Sequence, residues 1–164
     1  MLDIARRNDP RGCVTWVHAD ARTLALSDGF DLALMTGHVF QIFVDDADIA
    51  AVLATARRHA TAFAFDTRNP LARGWERWQG WVRTVPGATV RYEVRAIAGD
   101  IVHLVTRHEL DGGVVATESA LRFLAADDVI ARVRAAGFAT VAAYGDWDGS
   151  PFADASPEII IVAQ

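Results

Sequence analysis

Three places along the chain set polar, chemically useful side chains at the end of an apolar run. The stretch FDLALMT at 30–36 leads into Gly37, His38, Val39 and Phe40. A glycine there lets the backbone pass close to a ligand with no side chain in the way. His38 is an imidazole that could take a proton from an oxygen or nitrogen nucleophile, or could simply hydrogen-bond a neighbouring turn. The second place is TAFAFDT at 61–67, which ends in Asp66 and Thr67 and is followed by Arg68, Asn69 and Pro70. An arginine fork suits a carboxylate, so Arg68 with Asn69 could hold an acidic ligand; alternatively Arg68 pairs with Asp66 or Glu76 and only fixes the segment that follows. The third is Asp20, with Ala21 and Arg22 behind it, at the end of VTWVHADA. An acid at the end of a half-buried strand accepts well from an exocyclic amine, and Asp is also a common cap for a turn such as the one before Thr23.

Other candidates point elsewhere. Trp75, Trp78 and Trp81 recur every three residues, either as an apolar wall for a ligand or as core between a lid and a sheet. His103 and His108 stand five residues apart, which on one strand turns them to opposite faces and argues against a shared metal. No metal-ligand spacing occurs elsewhere, and no Ser-His-Asp or Cys-His arrangement is suggested.

The elements that must position these residues follow from periodicity. MLDIARR reads as the end of a helix closed by Asn8, Asp9, Pro10 and Gly12. Residues 14–21 alternate and predict a strand. FDLALMT is almost continuously apolar and predicts a strand buried on both faces, as parallel strands are. Residues 45–60 place apolar side chains at 49, 50, 52, 53 and 56, a helical spacing, with Asp45, Asp46 and Asp48 at the favourable N-terminal end. Residues 61–67 predict a third strand, so the first half reads as α/β with a mainly parallel sheet. The spacing at 75–81 predicts one side of a helix or a lid segment. From 88 to 124, alternating runs broken by Gly-Asp and Asp-Gly-Gly predict an antiparallel meander. A helix over 125–138 and two closing strands complete the chain.

Composition excludes several classes. The 164 residues suit one domain, since roughly 100 to 200 residues is usual. A hydrophobic fraction of 52% with 23% charged residues describes a globular protein rather than a disordered one. With a net charge of -5 and dispersed arginines there is no basic field for a phosphate backbone, so nucleic acid is not an expected partner. One cysteine, Cys13, rules out a disulfide framework and suits a reducing compartment, with the cytoplasm as the default. No apolar run approaches the roughly 20 residues that cross a bilayer, and no signal peptide opens the sequence, so no membrane association is expected.

Five stretches, in order and at the right spacing, resemble the class I S-adenosylmethionine (SAM)-dependent methyltransferases, especially small bacterial ones with a β-rich insertion. MLDIAR is similar to the end of the helix after that family's second strand, and VHADARTL to the acidic turn after its third. FDLALMTGHVFQ resembles its fourth strand and turn, FAFDTRNP its fifth strand, and SPEIIIVA its closing strand. The resemblance implies a truncated Rossmann-like sheet with an antiparallel meander inserted as a lid after the fifth family strand. It implies a single domain over 1–164, with 71–124 as the lid subdomain. It also implies transfer of a methyl group from SAM to a small-molecule acceptor. Asp20 would receive the adenine amino group and the amide of Ala21 a ring nitrogen, with Arg22 beside them. Thr36, Gly37, His38 and Phe40 would lie along the cofactor, His38 doubling as a base, while Arg68, Asn69, Trp75 and Trp78 would face the acceptor. The alternative is a catalytically inactive module of the same descent that binds a ligand or partner.

Members of that family open with a strand and a G-x-G-x-G turn, then a second strand ending in an acid that grips the ribose. Residues 1–164 contain no such turn, and the resemblance begins inside the helix after the second strand. The expectation is a sheet stripped of one neighbour beside 30–36. Either the strand at 14–21 moves over to pair there, or two chains join as a homodimer.

Overall fold

The computed structural model describes residues 1–164. A short helix α1 (Leu2–Arg7) is followed by β1 (Phe30–Met35), α2 (Asp46–His59) and β2 (Ala60–Arg68). Then come β3 (Val82–Val85), β4 (Ala88–Ala98), β5 (Ile101–Leu110), β6 (Gly113–Arg122), α3 (Ala126–Ala135), β7 (Val141–Tyr144) and β8 (Glu158–Ala163).

Two sheets result. The first has the order β1-β2-β8-β7, with β1 parallel to β2 and β8 antiparallel to both β2 and β7. The second is the antiparallel meander β3-β4-β5-β6, as the alternating runs predict, with one register irregularity between Val94 and Ala96.

One face of the first sheet makes the core. Phe63 and Phe65 of β2, with Ile159, Ile161 and Ala163 of β8, meet Ile49, Val52 and Leu53 of α2 and Val129 and Val133 of α3. The spacing of these residues on α2 is what turned that helix toward the sheet. Phe63 and Phe65 stack at 4.9 Å, and Phe138 joins them at 6.1 Å from Phe63. Each such ring contributes about 2–3 kcal/mol by leaving water. Gly137, at φ 98, closes α3 in a left-handed conformation that other residues resist.

The opposite face corrects one expectation. Phe30, Leu32 and Leu34 are 49%, 50% and 62% exposed, so β1 is not buried on both sides. Both α2 and α3 feed the core on the other face, against which Ala33 and Met35 pack, and α1 buries no residue of its own.

The expected strand at 14–21 is also absent. That stretch carries no regular structure, and Val14, Trp16 and Val17 remain exposed. It does not pair with β1, whose only ladder partner is β2. Alternation marks which side chains would share a face, but a strand exists only where a neighbour completes its hydrogen bonds. Here the local bonds are of another kind: the Asp9 carboxylate accepts from the amides of Cys13 and Val14 at 3.0 and 2.8 Å.

Arg122, at the end of β6, ties the meander to the start of α2. Its guanidinium donates to Asp100 at 2.8 Å, to Asp46 of α2 at 2.5 Å and to the carbonyl of Val44 at 3.0 Å. The tryptophan segment runs as a 3₁₀ turn over Gly74–Trp78 rather than a long helix. No helix is long and apolar enough to cross a membrane.

Candidate functional site

Parallel strands β1 and β2 end side by side, and their C-terminal ends bring His38 and Asp66 together. After Met35 the chain turns through Gly37 at φ 79 and His38 at φ 61. A left-handed histidine costs about 1–2 kcal/mol. Asp66 offsets this: its carboxylate, 4% exposed, accepts from the amides of Gly37 and His38 at 3.3 and 3.0 Å. Above Gly37 the space that a Cβ would occupy is open, so a ligand can approach the backbone there.

The imidazole is held from the far end of the chain. His38 Nε2 lies 2.9 Å from Glu158 Oε2 and 3.7 Å from Asp66 Oδ2. Glu158 opens β8, and the antiparallel register places it opposite Arg68 of β2. The two do not pair. Arg68 Nη1 donates to Gln41 Oε1 at 2.7 Å, and the guanidinium carbon lies 4.9 Å from the centre of the Trp78 ring. Gln41 is 1% exposed and its Nε2 donates to the Arg122 carbonyl at 3.0 Å, so it fixes Arg68 from a buried position. Burial pushes the proton affinity of Arg68 below its ordinary value, and the Glu158 and Asp66 carboxylates oppose that shift.

This arrangement decides between readings left open by the sequence. Arg68 pairs with neither Asp66 nor Glu76; Glu76 is engaged by Arg73 at 2.6 Å. His38 bonds a residue 120 positions away rather than a neighbouring turn. Trp75 and Trp78 share a side of the 3₁₀ turn and pack against Phe123, with ring centres at 4.6 and 6.0 Å. Trp81 instead stacks on Tyr92 at 4.9 Å.

Other candidates sit apart from this cluster or are spent on structure. Phe40 is buried in the core, its ring 4.5 Å from Phe65. Asn69 is 1% exposed: its amide donates to the carbonyls of Asp154 and Ser156 at 2.9 and 2.7 Å, and its oxygen accepts from Leu71 N at 3.0 Å. Thr36 lies exposed beside Gly37 at the end of β1. Asp20 is closed on Arg22, whose Nε and Nη2 reach its two oxygens at 3.0 and 2.6 Å, while the Arg22 amide adds a bond of 2.9 Å. The Arg22 side-chain bonds hold the Asp20 carboxyl down at about 2. Arg22 also reaches Asp48 of α2 at 2.8 Å, and Ala21 lines a groove with Leu24, Leu32 and Val52.

For the implied cofactor these residues fit unevenly. The open backbone at Gly37 and the imidazole beside it suit the methionine end of SAM. At the adenine end the Asp20 carboxylate already has guanidinium and amide partners, so it would have to share or release them. Glu158 and Gln41 were not singled out from the sequence. Gln41 left a trace, a lone amide inside the apolar run VFQIF, whereas nothing local connects Glu158 with His38.

Comparison with solved structures places the fold. The chain superposes on an S-adenosylmethionine-dependent methyltransferase from Clostridium acetobutylicum with a TM-score of 0.81 at 12% identity, covering 99% of this chain and 70% of that one. It matches the CcbJ methyltransferase from Streptomyces caelestis with a TM-score of 0.82 at 14% identity, covering 100% of this chain and 75% of that one. It is also similar to the sugar N-methyltransferase KedS8 from Streptoalloteichus, with a TM-score of 0.68 at 20% identity over 94% of this chain and 64% of that one. No protein-family model matches the sequence, and no curated protein does. The fold is that of the class I SAM-dependent methyltransferases, with a mixed α/β sheet and an antiparallel meander.

Proposed function

We propose that the chain works as a SAM-dependent methyltransferase acting on a small-molecule acceptor, with the cluster of His38, Glu158 and Asp66 at its reacting end. The observation that carries this reading is the His38 imidazole, fixed at 2.9 Å by Glu158 on a backbone pinned by buried Asp66, at the C-terminal ends of two parallel strands. Ligands of open α/β sheets bind there.

When bound, SAM supplies a methyl group on a positively charged sulfur. The chain's own part is to align the acceptor and to handle a proton. Transfer from a sulfonium depends mainly on alignment, which the walls at Arg68, Trp75 and Trp78 would supply. With Nε2–H donated to the Glu158 carboxylate, His38 would take the proton from the acceptor's oxygen or nitrogen at its other ring nitrogen, Nδ1. Thr36 and Gly37 would face the cofactor along the turn; Asp20, Ala21 and Arg22 would face its adenine. In this reading residues 71–124 act as a lid within a single domain over 1–164, and the lone Cys13 suits the reducing cytoplasm.

A calorimetric titration with S-adenosylhomocysteine, the product form, tests the cofactor part. Micromolar binding supports the reading and shows that residues 1–164 suffice for the pocket. Folded protein that binds none would leave this chain a methyltransferase by fold only.

A second reading has its own observation. The outer edge of β1 has no ladder partner, and Phe30, Leu32 and Leu34 beside it are exposed. Such an edge invites pairing with another chain. On this reading the chain is an interaction module, or the enzyme forms a homodimer through that edge. Sedimentation across a concentration range separates a monomer from such a dimer.

A further inference from the structure

The most unusual charge in the molecule is Arg68. It is half-buried, it has no carboxylate within ion-pair distance, and its single side-chain hydrogen bond goes to a neutral amide, Gln41 Oε1 at 2.7 Å. Removing a guanidinium from water without a counter-ion is costly, and proteins normally supply one. A carboxylate is at hand, because Glu158 faces Arg68 across β2 and β8. Yet Glu158 is committed to His38 at 2.9 Å, and Asp66 is committed to the amides of Gly37 and His38. Each of those two anions has closer donors; they act on Arg68 only through space, and no carboxylate contacts the guanidinium.

The cation is nonetheless well held. Gln41, 1% exposed and anchored to the Arg122 carbonyl, fixes one Nη, while the face of Trp78 at 4.9 Å fixes the plane. Of its five N–H donors, those on Nε and Nη2 meet no protein acceptor. A planar fork held in place with donors to spare is suited to bidentate recognition of an oxyanion, and because it is already ordered, little is lost on binding.

We propose that Arg68 forms an anion subsite and that the methyl acceptor carries a carboxylate, seated on the Arg68 fork with its reacting atom toward His38. The span is short, because both His38 and Arg68 flank Glu158, so the acceptor is a small organic acid. The inference rests on the methyltransferase reading for calling the ligand an acceptor; the anion subsite itself stands on the geometry alone.

The test therefore omits SAM. Benzoate and its neutral counterpart benzamide are titrated into the whole chain while the Arg68 Nε–H and Trp78 Nε1–H resonances are followed. Benzoate should shift both saturably and bind at least roughly tenfold more tightly than benzamide, as a charge-assisted bidentate contact implies. Arg68→Gln should abolish the Trp78 response, and Arg68→Lys, which keeps the charge and loses the fork, should weaken it several-fold. Equal binding of benzoate and benzamide would overturn the subsite, as would a folded R68Q that keeps the benzoate response. If R68Q does not fold, the wild-type contrast between the two probes and the R68K titration decide. Loss of S-adenosylhomocysteine binding with benzoate recognition intact would overturn only the methyltransferase reading; the reverse outcome would overturn only the subsite.

Discussion

Glu158 and Arg68 are cross-strand partners of opposite charge, and they make no ion pair. Glu158 turns to His38 at 2.9 Å, and Arg68 turns to Gln41 at 2.7 Å and to the Trp78 ring. Opposite charges directly across a ladder normally stabilise each other. Splitting them leaves an imidazole backed by a carboxylate on one side and a guanidinium with no carboxylate in contact on the other. Two different groups of one ligand can be served from a single register position.

Replacing Glu158 with Gln keeps the size and the hydrogen bond but removes the negative charge behind His38. If His38 handles the acceptor's proton, kcat should fall by roughly 10- to 100-fold, less than the roughly 100- to 10,000-fold of a directly acting acid–base group because Glu158 acts through His38. S-adenosylhomocysteine affinity should stay within about twofold, because a positioning residue acts on the chemical step. An unchanged kcat would remove the proton-handling role and leave alignment alone.

Asp66 should be felt first as stability. Asp66→Ala leaves the amides of Gly37 and His38 without their acceptor in a buried place. Urea unfolding should show a loss of about 3 kcal/mol, in line with lost bonds to a charged group and a donor left unsatisfied. Asp66→Asn keeps one carbonyl oxygen and should lose less than the alanine variant.

Asn69 should behave as a clamp rather than as a ligand contact. Its three hydrogen bonds join the end of β2 to the loop at Asp154 and Ser156. Asn69→Ala should cost about 2–3 kcal/mol in unfolding, since buried partners are orphaned on both sides. Acceptor KM, measured well below the melting temperature, should change less than twofold; a large rise in KM with stability intact would restore a binding role.

The Asp20–Arg22 pair predicts a defined pH dependence. The folded carboxyl is held at about 2 against an ordinary value of 3.8, chiefly by the Arg22 side-chain bonds. Its contribution is therefore complete above pH 3.8 and is lost as the pH falls toward 2. The pair is exposed, so the effect on stability should be small. Carbon-detected NMR should show Asp20 titrating at about 2, and Arg22→Ala should return it toward 3.8.

The sequence by itself determined the elements whose evidence is local. The helical spacing at 49–56 put Ile49, Val52 and Leu53 on one face of α2, and alternation between Gly-Asp and Asp-Gly-Gly breaks laid out β4, β5 and β6. The turn after β1 was legible too, because a glycine followed by a histidine at the end of an apolar run is a local pattern. Tertiary structure decided the rest. Residues 14–21 have the alternation of a strand, but a strand needs a neighbour, and none lies beside them. FDLALMT looked buried on both faces, yet α2 and α3 settled on the same side of the sheet and left Leu32 and Leu34 open. The partner of His38 comes from 120 residues away, and Arg68 is left without one by the same event. Periodicity encodes which way a side chain points, but only the register of β2 against β8 decides which distant side chain it meets.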